Sequence, residues 1–211
     1  MSYGLSDHRL ILASGSTTRR AMLADAGLNF EVIAASVDED SLKHAAKAEQ
    51  LSGLDASTMI AEMKAQQISA QHPEAYVIGA DQLLVQSDDW FSKPETRDEA
   101  KATLRALSGH THQLVTVGVV YQQGHRLWHH GESPSVSIRS LDDDEIDAYL
   151  DHLGNAMTAT PGVYMIETLG AQIISKIQGC PYAVLGLPLL QLMAFLRDHG
   201  LKPIDRKQAA S

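Results

Sequence analysis

Leu10-Ile11-Leu12-Ala13 is an apolar run that stops at Ser14-Gly15-Ser16-Thr17-Thr18-Arg19-Arg20, after which Ala21, Met22, Leu23 and Ala26 resume at helical spacing. The pattern predicts a buried strand, a tight turn of small residues and the first turn of a helix. Such a junction offers unpaired backbone N–H groups and the positive end of a helix dipole, and here hydroxyls and two guanidinium groups join them. That is the chemistry of phosphate binding. A plain helix cap at Ser16 or Thr17, with solvated arginines, is the structural alternative.

Carboxylates and lysines follow at intervals. Asp38-Glu39-Asp40 lies just past the next apolar segment and reads either as ligands for a divalent cation or as a solvated loop. Asp81 closes the apolar run Tyr76-Val77-Ile78-Gly79-Ala80. A carboxylate between apolar strands is costly to bury without a metal, a cation or partial protonation, which makes Asp81 the strongest catalytic candidate. A helix cap or a paired structural acid is the alternative. Lys64 stands in the middle of a helical pattern, where a lysine ordinarily faces solvent, and Lys93 is held extended by Pro94. The ten histidines include no His-Glu-x-x-His spacing, and adjacent His129 and His130 point to opposite faces of a strand, so a histidine zinc site is not supported. The single cysteine, Cys180, excludes an intrachain disulfide and fits a reducing compartment.

The elements that must position these groups alternate between strand and helix. Strands are predicted at 10–13, 30–34, 76–81, 83–85, 112–121, 127–139, 161–167 and 171–177. Helices are predicted from about residue 17, over 58–69 and 98–107, over 146–153 after the acidic opening Asp142-Asp143-Asp144-Glu145, and over 189–196. Residues 41–54 read as a loop or a short helix, and Gln123-Gly124 as a hairpin turn. At 211 residues the chain can bury a real core, and the mixture predicts an α/β fold with a mixed sheet. A net charge of −9 argues against a nucleic-acid or anionic-membrane binder. With no signal peptide or spanning apolar run, a soluble cytoplasmic protein is expected, with residues 201–211 as a disordered tail.

Taken together, the ordered set resembles the Maf-like nucleoside triphosphate pyrophosphatases. The pieces are the run at 10–20, Val37-Asp38-Glu39, Lys64-Ala65, Ile78-Gly79-Ala80-Asp81 and Lys93-Pro94, then Leu107 to His112, Arg139 and Leu185-Gly186-Leu187-Pro188. The resemblance implies one domain over residues 1–200, an elongated mixed sheet with flanking helices and two lobes around a central cleft, and a homodimer. It implies house-cleaning hydrolysis of a nucleoside triphosphate, between the α and β phosphates, to monophosphate and pyrophosphate. Ser14, Ser16, Arg19, Lys64 and Lys93 would bind substrate. Glu39, with Asp81, would hold Mg²⁺ or Mn²⁺, and Asp81 would serve as the base.

Departures from the family pattern bear on the substrate. Thr18 stands where arginine or tryptophan is common, Gln82 where threonine is common, and Glu167 where the thymidine and uridine triphosphate branch carries glutamine. Gln82 and Glu167 together resemble the branch acting on 7-methyl-GTP, and a guanine-type base is expected over dTTP or UTP. Ala159-Thr160-Pro161-Gly162 stands where the family commonly has Asp-Lys-Ala-Gly, and Gln178-Gly179-Cys180 where it has Glu-Gly-Asp, so acids and a lysine of the usual pattern are missing. Two rivals differ in class. A dinucleotide-binding module lacks its glycines here, because Ala13-Ser14-Gly15-Ser16 is not G-x-G-x-x-G. A non-catalytic nucleotide-binding regulator of cell division would keep the phosphate turn without needing Asp81.

Overall fold

The computed structural model describes residues 9–200, so the tail expected at 201–211 lies outside the described residues. Strand β1 (Leu10–Leu12) runs into helix α1 (Thr17–Asp25), which Ser16 caps by accepting the Arg19 N–H. Gly27, at φ +78°, takes the left-handed conformation that ends this helix. The second strand, β2, is confined to Glu31–Val32. Of the two readings of the next stretch the helix is realised: α2 (Glu39–Ala48) starts at the acidic cluster itself, with Asp38 as its N-cap. Helix α3 (Gly53–Gln71) is capped by Ser52 and extends beyond the predicted 58–69 at both ends.

β3 (Tyr76–Gln86) is one continuous strand where two were expected. Asp81 does not break it, because a partner on α3 accompanies the carboxylate into the interior. β4 (Asp89–Phe91) pairs antiparallel with its far end, and α4 (Arg97–Leu107) begins at the Thr96 cap. β5 (Thr111–Gln122) turns at Gln123 and Gly124, both with positive φ as a two-residue hairpin requires. The strand expected at 127–139 is in fact two, β6 (His125–Glu132) and β7 (Ser135–Ile138). Pro134 lies at the break: it has no N–H for a ladder, while its carbonyl accepts from Leu114 N at 2.9 Å.

α5 (Asp143–Leu153) opens on a reciprocal capping box between Asp142 and Glu145. No strand forms at 161–167. Instead the Thr160 hydroxyl bonds both the N–H and the C=O of Tyr164, and Val163 sits at φ +59°. Gly162 lies so close to the Tyr164 ring that an added Cβ would stand 2.4 Å from it. β8 (Ile174–Gln178), the four-residue α6 (Pro181–Val184) and α7 (Leu189–Asp198) are the last elements among the described residues. Among the described residues no helix is long and apolar enough to cross a membrane.

The strands form a mixed eight-stranded sheet in the order β2-β1-β3-β5-β7-β8, with β4 on β3 and β6 on β5. Two compact units divide the chain: the first holds residues 1–81, 116–131 and 186–211, the second 82–115 and 132–185. In the first unit β1 runs parallel to both β2 and β3, and Ile11, Ala61, Ala65, Ile68, Val77, Val117 and Val119 share a core. In the second, Leu84, Leu104, Leu107, Val136, Ile146, Leu150 and Ile173 pack together around β7.

That second core contains a polar pair. His112 is 1% exposed, its Nε2 lies 2.5 Å from the Tyr164 hydroxyl, and its Nδ1 has no hydrogen-bond partner. Burial pushes His112 down from its usual 6.5 to about 4. The imidazole is therefore neutral in the folded state, whereas an unfolded chain takes up the proton below pH 6.5. Its contribution is intact above that pH and is lost as pH falls towards 4. The loss between pH 7.5 and pH 5 is expected to be about 2 kcal/mol. Denaturant unfolding at the two pH values measures it, and His112→Gln, which cannot charge, should flatten that part of the profile.

Candidate active site

The turn after β1 is built by its own hydroxyls. The Ser14 Oγ accepts from Ser16 N at 3.3 Å, and the Ser16 Oγ accepts from Arg19 N at 3.3 Å. Among the described residues the N–H groups of Gly15, Thr17 and Thr18 have no protein acceptor. Unpaired donors at a helix N-terminus, at the carboxyl end of a parallel strand, suit an anion.

Arg19 is buried, at 9% exposure, and turns back into the protein. Its Nε donates to the Gly186 carbonyl at 2.7 Å, and its Nη1 donates to the Ala80 carbonyl at 3.0 Å and to Ser14 Oγ at 3.2 Å. The guanidinium thus ties the turn to the residue before Asp81. Burial holds its pKa below the usual value, while the charges of Asp81 and Glu39 oppose that shift. Sequence reasoning assigned Arg19 to phosphate alone and missed this bracing role. The acceptors are backbone carbonyls, one of them 167 residues away, and they leave no side-chain signal.

Asp81 is 2% exposed and accepts from Lys64 Nζ at 3.0 Å through Oδ1. Its Oδ2 is buried with no hydrogen-bond partner. The same Lys64 ammonium lies 2.9 Å from Glu39 Oε1, so one lysine bridges two carboxylates, one buried and one half-exposed. Lys64 reaches this place because α3 buries Ile60, Ala61, Ala65 and Ile68, and position 64 falls on the same stripe. On β3, Asp81 shares a face with Gly79, and Gly79 is what lets α3 approach. A Cβ there would stand 2.3 Å from the Ala61 carbonyl oxygen and 2.8 Å from Ala65 Cβ.

The acidic cluster at 38–40 does not act as one ligand set. Asp38 is an N-cap that accepts from the Ser41 hydroxyl and N–H, bonds that hold its pKa below the usual carboxylate range. Asp40 lies 3.9 Å from Lys43. Only Glu39 is paired with Lys64.

The first unit therefore holds Ser14, Ser16, Thr18, Arg19, Glu39, Lys64 and Asp81. Thr18 is half-buried on the first turn of α1. Gln82, Lys93 and Glu167 belong to the second unit. There Gln82 Nε2 donates to the carbonyls of Ala183 and Val184, at 2.9 and 3.1 Å, which fixes α6 against β3. Lys93 and Glu167 are both exposed. Gln178 ends β8, and Cys180 precedes α6, so the positions lacking the usual acids form a strand-to-helix junction around Gly179 at φ +105°.

The parallel strands and the braced turn, with an acid-lysine-acid bridge beside them, define an α/β protein that can hold an anion next to two carboxylates. The chain belongs to the Maf family: residues 9–199 match the Maf-like protein family. It is 44% identical to the nucleoside triphosphate pyrophosphatase of Paramagnetospirillum magneticum, over 90% of this chain and 98% of that protein. Identity to the nucleoside triphosphate pyrophosphatase of Rhodospirillum rubrum is 43%, over 91% and 95%. A 7-methyl-GTP pyrophosphatase of Mesorhizobium japonicum is 41% identical, over 91% and 96%.

Proposed function

We propose that this protein is a nucleoside triphosphate pyrophosphatase, hydrolysing the α-β anhydride to a monophosphate and pyrophosphate. The observation that carries the reading is Asp81: a buried carboxylate with one oxygen on Lys64 and the other unpaired, next to a turn with unpaired N–H groups. An unpaired buried carboxylate oxygen is costly in a merely structural acid and useful in a base or ligand. The family relationship supports the same reaction.

In this reading the turn N–H groups and the hydroxyls of Ser14 and Ser16 donate to phosphate oxygens, and Lys64 and Lys93 add charge. Arg19 supplies charge from behind the turn while holding its shape. Glu39 and Asp81 fit a divalent cation, since both offer hard oxygen donors and Mg²⁺ takes few protein carboxylates beside water and phosphate. Bound Mg²⁺ or Mn²⁺ would neutralise phosphate charge and acidify a water. Asp81 takes the proton of the attacking water at Oδ2, and pyrophosphate departs with the bridging oxygen.

The base preference rests on Glu167, because the Gln82 amide nitrogen is already committed to α6. A carboxylate accepts two hydrogen bonds from N1–H and N2–H₂ of a guanine edge, whereas thymine and uracil offer one donor. The relative named 7-methyl-GTP pyrophosphatase supports this direction. Pyrophosphate release is measured across GTP, 7-methyl-GTP, dTTP and UTP with Mg²⁺ or Mn²⁺. Guanine-type substrates are expected to lead by about tenfold to a hundredfold in kcat/KM. Glu167→Gln should shift the order towards dTTP and UTP; an equal change for all four would remove Glu167 from base reading.

A further inference from the structure

Glu39 and Asp81 cannot both receive a cation as they stand, because the ammonium of Lys64 already lies 2.9 Å from one and 3.0 Å from the other. We propose that Lys64 is a place-holder cation: in the free protein it neutralises and joins the two carboxylates, and a divalent cation enters as the ammonium transfers to a triphosphate. Cation and triphosphate then bind cooperatively. The inference rests on the functional reading above, and it concerns the order in which the site is filled.

Charge accounting carries it. The neighbourhood of Asp81 contains two acids, Glu39 and Asp81, and two bases, Lys64 and Arg19, whose charges act on one another. The group is neutral in sum. A divalent cation added alone would leave it strongly positive in a partly buried place, where Coulomb energies are large. A triphosphate added alone would face two carboxylates. Added together, each ligand offsets the charge of the other, and the ammonium exchanges carboxylate oxygens for phosphate oxygens.

Mobility has the required asymmetry. Asp81 sits inside the long strand β3 and its side chain is 3% exposed, so its position is fixed. Glu39 is the first residue of α2 and its side chain is 44% exposed, free to turn towards solvent or ligand. Lys64 carries a point charge on a flexible four-carbon stem, and its third ammonium proton is not used by either carboxylate. When the ammonium leaves, Asp81 Oδ1 is released for the cation, while Oδ2, buried without a partner, is kept for the proton of the water.

The test is a Mn²⁺ titration of the free protein, followed by electron paramagnetic resonance and without nucleotide. Wild type is compared with Lys64→Gln and Lys64→Met. Each variant removes the place-holding charge, and glutamine keeps a hydrogen-bond donor should methionine fail to fold. Both are expected to bind Mn²⁺ at least about tenfold tighter than wild type. Equal or weaker binding by the variants would overturn the place-holder role. In a second arm, a non-hydrolysable α,β-methylene triphosphate is titrated into wild type by calorimetry with and without Mn²⁺. At least a tenfold tightening by Mn²⁺ is expected, and none would overturn the cooperativity. Neither arm reads turnover, so absence of pyrophosphate release would fail the functional reading separately from this one.

Discussion

Asp81→Asn is expected to lower kcat by about 10² to 10⁴, the usual cost of a lost general base, while leaving triphosphate affinity within roughly tenfold. The amide keeps the shape of the side chain, and its oxygen can still accept from Lys64. It cannot take a proton, and it gives up the charge that a cation and Lys64 both see. Steady-state kinetics together with equilibrium binding separates these roles. A variant with full turnover would move the base elsewhere, Glu39 being the next carboxylate on Lys64. A variant that binds triphosphate normally and no longer binds Mn²⁺ would assign Asp81 chiefly to the cation.

Gly79→Ala is expected to act on fold and site at once. The added methyl would stand 2.3 Å from a backbone carbonyl of α3, and no rotamer change relieves a clash with backbone. Helix α3 must move off β3, at a cost typical of core overpacking, about 1 to 3 kcal/mol. For a chain of this size that corresponds to a fall in Tm of about 2 to 12 °C. The same displacement draws Lys64 away from Asp81, so activity should fall further than the loss of folded protein accounts for. Thermal unfolding and kcat measured on the same sample check both halves. An unchanged Tm would mean that α3 does not rest on Gly79 as described.

Much of this arrangement was legible before the structure. The strand-turn-helix at the start was readable because apolar period, small turn residues and an N-cap serine all agree there. Asp81 stood out because a carboxylate in an apolar run has few inexpensive explanations. Lys64 was underestimated on chemical grounds alone: lysine usually faces solvent, yet the stripe Ile60, Ala61, Ala65 and Ile68 already placed position 64 on the buried side of α3.

Other features had no local signal. The division of Asp38, Glu39 and Asp40 among a cap, a site group and a surface acid depends on where α2 begins. Two of these three residues lie within the first turn of a helix that polar, weakly periodic sequence offers only as an alternative to a loop, and without its starting residue. The continuity of β3 through Asp81 depends on a lysine 17 residues earlier in the chain. The commitment of Gln82 to α6 depends on carbonyls 101 and 102 residues later. The missing strand at 161–167 is a matter of a threonine side chain substituting for ladder bonds, which composition alone does not reveal.

The reaction is defined by which phosphoanhydride bond breaks. Purified protein is incubated with GTP and Mg²⁺ or Mn²⁺ in the absence of any pyrophosphatase, and the products are followed by phosphorus NMR. Monophosphate and intact pyrophosphate are expected to appear in equal amounts, with Asp81→Asn nearly silent under the same conditions. Diphosphate with orthophosphate would contradict that expectation, and so would triphosphate recovered bound and unchanged.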